Sequence, residues 1–565
     1  MNEKLTIYQV FPRLFGNQRT NPIENGSLIQ NGCGKMADFT GKALKEIKDL
    51  GISHVWYTGI IEHATETNYT EFGIQQDHSL VVKGKAGSPY AIKDYYDIDP
   101  DLANQIDNRM QEFQELVQRT HDEKMGVIID FVPNHVARQY HSDAKPSYVQ
   151  NLGDGDNTSE SFAPTNNFYY ITQQPFTLYG DAQQEDYPYS EFPAKATGND
   201  QFTASPTTND WYETVKLNYG VDYLNGNQEH FDPMPDTWIK MRDILLFWAS
   251  KGVDGFRCDM AEMVPVAFWH WVIQEIKAKY PSIIFIAEVY NPAQYRNYIH
   301  TGGFDYLYDK VGLYDTLRAV TCGQAAACNI THCCHAVSDI QDHMLNFLEN
   351  HDEQRIASDF FAGDGAKGIP AMAVLSTLST NPVMIYSGQE LGEPAMEHEG
   401  FSGVDGRTTI FDYWSIDKLR RWNNQGDFGT AQLTTEEVEL KHFYKQLLNI
   451  CRTEKCITAG SLFDLMYANE ANPKFDNGKQ FAFLRNADQE LLLVVANFDS
   501  QAVNVEVNIP SEAFDFLKIP DNKVAVVENL ITNKKSVGTL TPLSPYQVSV
   551  GAYGVLLLKF THDKM

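Results

Sequence analysis

Eight short apolar segments alternate with amphipathic stretches along most of this chain, and that alternation restricts the fold more than any other feature. LTIYQVF (5–11), ISHVWYTGI (52–60), GVIIDFV (126–132), VDGFRCD (253–259), IIFIAE (283–288), FDYLYD (304–309), MLNFL (344–348) and PVMIYSG (382–388) read as strands. Apolar runs of this kind mark strands covered on both faces. Helix-like stretches stand between them, among them KALKEIKDLG (42–51), MQEFQELVQRTHDEKM (110–125), KMRDILLFWASKG (240–252) and VAFWHWVIQEIKAKY (266–280). Parallel neighbours need such a crossover, so the order predicts a (β/α)8 TIM barrel of the α/β class.

The regularity breaks twice. Residues 136–236 are rich in Asn, Asp, Gln, Pro, Tyr and Gly without sustained helical period, which reads as an irregular subdomain inserted after the third strand. Beyond the helix-like EVELKHFYKQLLNICR (437–452), strand segments such as FAFLRN, LLLVVANF, VNVEVNI, KVAVVENL and GVLLLKF follow one another with no helix between them. Residues 458–565 are therefore expected to form a C-terminal antiparallel β-sandwich domain, leaving 1–135 and 237–457 to the barrel. A chain of 565 residues exceeds what one core serves, in keeping with this division.

The 74 acids and 45 bases give a formal charge of -29, a field that repels phosphate backbones and anionic lipid, so neither nucleic acid nor membrane is expected as a partner. No basic region followed by an apolar stretch opens the chain, and no apolar run reaches membrane-spanning length, so a cytoplasmic location is expected. Eight cysteines do not make a disulfide framework. The run TCGQAAACNITHCCHA (321–336) lacks the paired spacing of a zinc site and reads as small thiols on a helix. The sequence carries no signal for oligomeric state.

In a parallel barrel, residues just past the C-terminal ends of strands converge on one face. Asn134 and His135 follow the third strand candidate, Arg257 and Asp259 end the fourth, Glu288 ends the fifth, and His351 and Asp352 follow the seventh. Each acid alone could cap a helix or pair with a base. Three carboxylates, two histidines and an arginine at four strand ends instead suit glycoside hydrolysis, which needs one carboxyl group as acid and another as nucleophile or base. Arg257 lies two residues before Asp259, so both project to one side of a strand.

DFVPNH (130–135), GVDGFRCDM (252–260), AEVY (287–290) and FLENHD (347–352) resemble, in order, the four sequence regions that characterise the α-amylase family of retaining α-glycosidases. The resemblance implies an α-glucan as partner, starch or maltooligosaccharide, cleaved at α-1,4 links by double displacement. It implies Asp259 as nucleophile, Glu288 as acid/base, Asp352 as the carboxylate binding the distorted sugar, and Arg257 as the cation keeping Asp259 ionised. It further implies that His135 and His351 bond sugar hydroxyls, that Tyr90 stacks on the sugar with Asp94 four residues on, and that Asn134 ligates a structural Ca2+, with GDGDN (153–157) offering further oxygens. The alternatives are a transglycosylase on the same scaffold and a noncatalytic glucan-binding or transporter-associated barrel. Two departures stand out. Glu262-Met263 replaces a Lys-His pair on the leaving-group side, and FDPMPDTW (231–238) matches a fifth region only loosely, through Asp232.

Overall fold

The computed structural model describes residues 4–178, 188–488 and 490–561; the part of the insert between 179 and 187 lies outside them. Eight parallel strands form the barrel: β1 Thr6–Val10, β2 His54–Tyr57, β3 Gly126–Phe131, β4 Gly255–Cys258, β5 Ile284–Ala287, β6 Tyr306–Tyr308, β7 Met344–Leu345 and β8 Val383–Tyr386. They hydrogen-bond in sequence order, and β8 returns to β1 through Thr6 opposite Val383. The gap between β7 and β8 closes at one parallel bridge, Asn346 to Val383, where Met384 N donates to Asn346 O at 2.9 Å. MLNFL was expected as a five-residue strand, yet its ladder ends at Leu345 and this bridge. Phe347 instead packs inward on Tyr314 with ring centroids 5.2 Å apart, and Asn350 then turns the chain by accepting from the amides of Asp352 and Glu353.

Ile7, Trp56, Ile128, Ile286, Tyr308, Leu345 and Met384 fill the barrel interior, one from each strand except β4. The β4 strand places Arg257 there instead. Outside, the helices α1 Gly41–Asp49, α2 Arg109–Asp122, α3 Asp236–Ala249 and α4 Val266–Lys279 each bury one stripe, as Ala43, Leu44 and Ile47 do on α1, at the spacing the sequence shows. The Thr40 hydroxyl caps α1 by accepting from Ala43 N at 3.2 Å.

The insert begins as an antiparallel ribbon, His135–Ala137 against Thr214–Lys216, so the chain leaving β3 is clamped beside the barrel mouth. The C-terminal region is antiparallel, with a six-stranded sheet and a two-stranded ladder, Val503–Val507 with Tyr546–Val550. Contrary to the expectation of strands alone, it contains a helix, Ser511–Leu517, which buries Ala513, Phe514 and Leu517 at helical spacing. No helix of the described residues is long and apolar enough to cross a membrane. All eight cysteines are free thiols, and the Cys/His run forms no metal-ligating group among the described residues.

Candidate active site

The ends of β3, β4, β5 and β7 bring Asn134, His135, Arg257, Asp259, Glu288, His351 and Asp352 to one face. There a cavity of about 350 Å³ is lined by Tyr90, His135, Asp259, Glu288 and Asp352. Arg257 organises it. Its guanidinium is wholly buried, ion-pairs Asp259 Oδ1 and Glu288 Oε2 at 2.8 Å each, and lies 3.4 Å from Asp130 Oδ1. Its Nε donates to Tyr308 Oη at 3.2 Å, and the rings of Trp56, Tyr90 and Tyr308 surround it at 5.3 to 5.6 Å. One cation thus sets two carboxylates side by side.

Asp259 presents its other oxygen, Oδ2, with no hydrogen-bond partner, 4.0 Å from His135 Nε2. Burial pushes this carboxyl well above the usual aspartate range; Arg257 opposes, while Glu288, Asp352 and Asp130 push further upward. Glu288 accepts from Met260 N at 2.8 Å and from Tyr290 Oη at 2.5 Å. Met260 reaches that position only in a left-handed backbone conformation, φ 43°, a strain of about 1–3 kcal/mol placed directly after Asp259.

Asp352 is the more open acid. Burial raises its pKa, but His351, Arg257 and Arg407 outweigh that and hold it below the ordinary value. His351 is fixed from three directions: Gln9 Nε2 lies 2.8 Å from Nδ1, Tyr90 Oη 2.6 Å from Nε2, and Asp352 Oδ2 3.1 Å from Nε2. The Tyr90 ring itself stacks on His351, centroids 5.1 Å apart. His135 is buried, and burial with Lys216 nearby depresses it to about 3, so it meets a ligand as a neutral imidazole.

The expected calcium ligand faces a different cation. Asn134 Oδ1 accepts from Lys216 Nζ at 2.8 Å, and the same buried ammonium pairs with Asp200 at 2.6 Å. An ammonium in that position leaves no room for a metal on the same oxygen. GDGDN is occupied as well: Asp156 accepts from Asn167 N, Phe168 N and Tyr170 Oη, and Asp154 from Asn151 N. The residues at Asn134 do not fit calcium.

Asp94 lies off the cavity, accepting from Tyr96 N, Ala144 N and Ser142 Oγ. Asp232 is exposed and Glu262 caps Asn291 N at 3.1 Å; neither lines the cavity. Sequence reasoning missed four contributors. Asp130, which accepts from Trp56 Nε1 at 3.0 Å, was visible as the one acid in the apolar run GVIIDFV. Trp211 and Glu213 come from the insert; Glu213 is buried with Oε2 unpartnered, and burial raises its pKa. Tyr290 follows Glu288 by two residues.

Two carboxylates held on one guanidinium at the C-terminal face of a parallel barrel define the class: a barrel enzyme equipped for acid and nucleophile chemistry. Residues 9–466 match the family model described as alpha amylase, catalytic domain, and the chain belongs to the alpha-amylase family. Alpha-amylase 3 of Dictyoglomus thermophilum is 23% identical over 482 residues, 82% of each chain. The cyclomaltodextrin glucanotransferase of Geobacillus stearothermophilus is 24% identical over 406 residues, 68% of this chain and 49% of that one. Among solved structures, the noncanonic maltogenic alpha-amylase AmyB from Thermotoga neapolitana superposes with a TM-score of 0.62 at 20% identity over 99% of both chains, a likeness of fold. Hydrolases and transglycosylases of alpha-glucans both occur among these relatives.

Proposed function

We propose that the protein hydrolyses α-1,4-glucosidic bonds of starch-derived oligosaccharides with retention of configuration. The observation that carries this is the unpartnered Asp259 Oδ2 in a cavity whose adjoining wall holds Glu288 on the same arginine. Asp259 Oδ2 attacks the anomeric carbon as the glycosidic bond breaks, and Glu288 passes its proton to the departing oxygen. Glu288 then takes a proton from water, whose oxygen displaces Asp259 and frees the sugar. Carboxyl groups that share one guanidinium are close neighbours, as direct displacement requires. His351 and Asp352 supply polar groups for the bound ring, and neutral His135 can hydrogen-bond a hydroxyl without adding charge beside Asp259.

Hydrolysis is favoured over transfer because Glu262-Met263 stands where the resemblance implies a Lys-His pair on the leaving-group side. Glu262 is turned to Asn291 N, and Met263 offers only a weak thioether acceptor, so an acceptor sugar competes poorly with water. Maltoheptaose digested with the protein and resolved over time should give shorter maltooligosaccharides only. Products longer than seven units as the main early species would make the protein a transglycosylase, and no products at all would make it a binding module.

A further inference from the structure

Glu213 lines the catalytic cavity without a part in the displacement chemistry. It stands immediately before the ribbon strand Thr214–Lys216, only 4% exposed, and its Oε2 is sealed with no hydrogen-bond partner. Burial raises its pKa, and the charges that draw it back down are Lys83 first, then Arg138, which is itself committed to Glu191. The catalytic acids are not among the charges acting on it, so Glu213 stands farther along the cavity than the groups that meet the reacting ring. Lys83 lines the same cavity; its ammonium lies 5.0 Å from the Phe411 ring centroid and makes no ion pair among the described residues. Its loop is fixed in place: Ala86 N and Gly87 N donate to Phe411 O at 3.0 and 3.1 Å, and Lys85 N donates to Asp412 Oδ1 at 2.8 Å. A carboxylate and an ammonium thus attract each other without touching, and a buried polar oxygen left in that state is costly unless a ligand meets it.

We propose that Glu213 and Lys83 clamp the glucose unit on the non-reducing side of the one that is cleaved, Glu213 accepting from one hydroxyl and Lys83 donating to its neighbour. A vicinal diol satisfies both, because each hydroxyl can donate and accept. A phosphate or carboxylate group would be drawn by Lys83 and repelled by Glu213, and an amino sugar the reverse, so the pair selects an uncharged ring. Trp211, Phe401 and Phe411 line the same cavity and offer flat faces to its carbon framework. The side follows from Glu288, which must face the departing oxygen together with its donors Met260 N and Tyr290 Oη, and which is absent from the charges acting on Glu213. The clamp rests on the hydrolase reading above and gives it a preference: a donor of two linked glucose units is held, and one of a single unit is not.

The full-length protein is assayed for fluoride release from α-maltosyl fluoride and α-glucosyl fluoride, which differ only in that second ring and need no sugar on the leaving-group side. The wild type should favour the maltosyl donor in kcat/KM by about a hundredfold, and Glu213→Leu and Lys83→Met should each shrink that ratio about tenfold or more. A merely structural defect lowers both donors alike and leaves the ratio where it was, so an unchanged ratio in either variant overturns the proposal, as does a wild type without preference. If Glu213→Leu fails to accumulate, Lys83→Met, at a half-buried position, decides alone. If the wild type consumes neither fluoride, the hydrolase reading is what fails, and maltose binding read by calorimetry takes over: affinity weakened about tenfold in the variants supports the clamp, and unaltered affinity refutes it.

Discussion

Arg257 is the side chain on which the chemistry turns, because Asp259, Glu288 and Asp130 would repel one another in a buried site without it. Asp259 bears the consequence. Its carboxyl is raised well above the usual aspartate range by burial, then by its acidic neighbours, against the pull of Arg257. A nucleophile must be ionised, so activity should be lost as pH falls through that raised value, and the acid limb of kcat/KM should lie above the ordinary aspartate value of about 3.9. A limb below that value would contradict the raised carboxyl. Asp259→Asn should keep the fold and lose roughly a thousandfold or more in kcat, since amide nitrogen and oxygen cannot form the glycosyl ester. Trapping with a fluorinated glycosyl donor followed by peptide mapping should place the label on Asp259, and a label on any other carboxylate would remove its assigned role.

At the scale of elements, the insert contributes Trp211 and Glu213 to the cavity wall, so its internal order matters for activity. Arg138, just past the His135–Ala137 strand, ties segments of the insert to one another. Its guanidinium is buried, pairs with Glu191 at 2.8 Å, donates to Tyr212 O at 2.6 Å and Thr214 O at 3.2 Å, and lies over the Phe176 ring at 4.1 Å. Replacing it with an apolar residue strands Glu191 in the interior, a loss of about 3–5 kcal/mol. Arg138→Met should accordingly lower the urea midpoint and speed proteolysis within the insert, while Arg138→Met with Glu191→Leu should recover part of the loss. Equal instability of the single and double variants would show that the ion pair is not what holds the insert.

For the whole molecule, buried neutral histidines set a limit on acid stability. His63 is held at about 3 by burial and by Arg13, whose guanidinium donates to Nε2 at 2.6 Å; arginine cannot accept, so that nitrogen must carry a lone pair. His135 is also held at about 3. Both folded values lie below the unfolded value of about 6.5, so the unfolded chain takes up protons first as pH falls. Their contribution is present above about pH 6.5 and is lost toward pH 3, at about 1.4 kcal/mol per unit of difference for each group. Glu349 opposes this over part of the range: burial, against Arg355, raises it to about 7, so its contribution is full below about pH 4.5 and is lost as pH rises to 7. The steepest fall in melting temperature should therefore come below about pH 4.5, where the histidine slope stands unopposed by Glu349. His63→Gln keeps an acceptor for Arg13 and cannot protonate, so its decline should be shallower; an unchanged slope would show that His63 does not set it.

The barrel and the placing of Asp259, Glu288, His351 and Asp352 at or just past strand ends were legible in the sequence alone, because a 3.6-residue period and apolar strand runs are local properties that packing then uses as they stand. The short β7 was only partly legible, since Phe347 turns inward to meet Tyr314, a partner over thirty residues away in the chain. What the tertiary structure alone decided are contacts between residues remote in sequence: Arg257 against Glu288 and Asp130, Gln9 against His351, and Glu213 brought into the cavity wall. The same holds for Asn134, which the family resemblance implied as a metal ligand and on whose oxygen Lys216, arriving from the far strand of the insert, places an ammonium. Charge and hydrogen bonding act through space over a few ångströms, and only the folded chain sets which groups come that close.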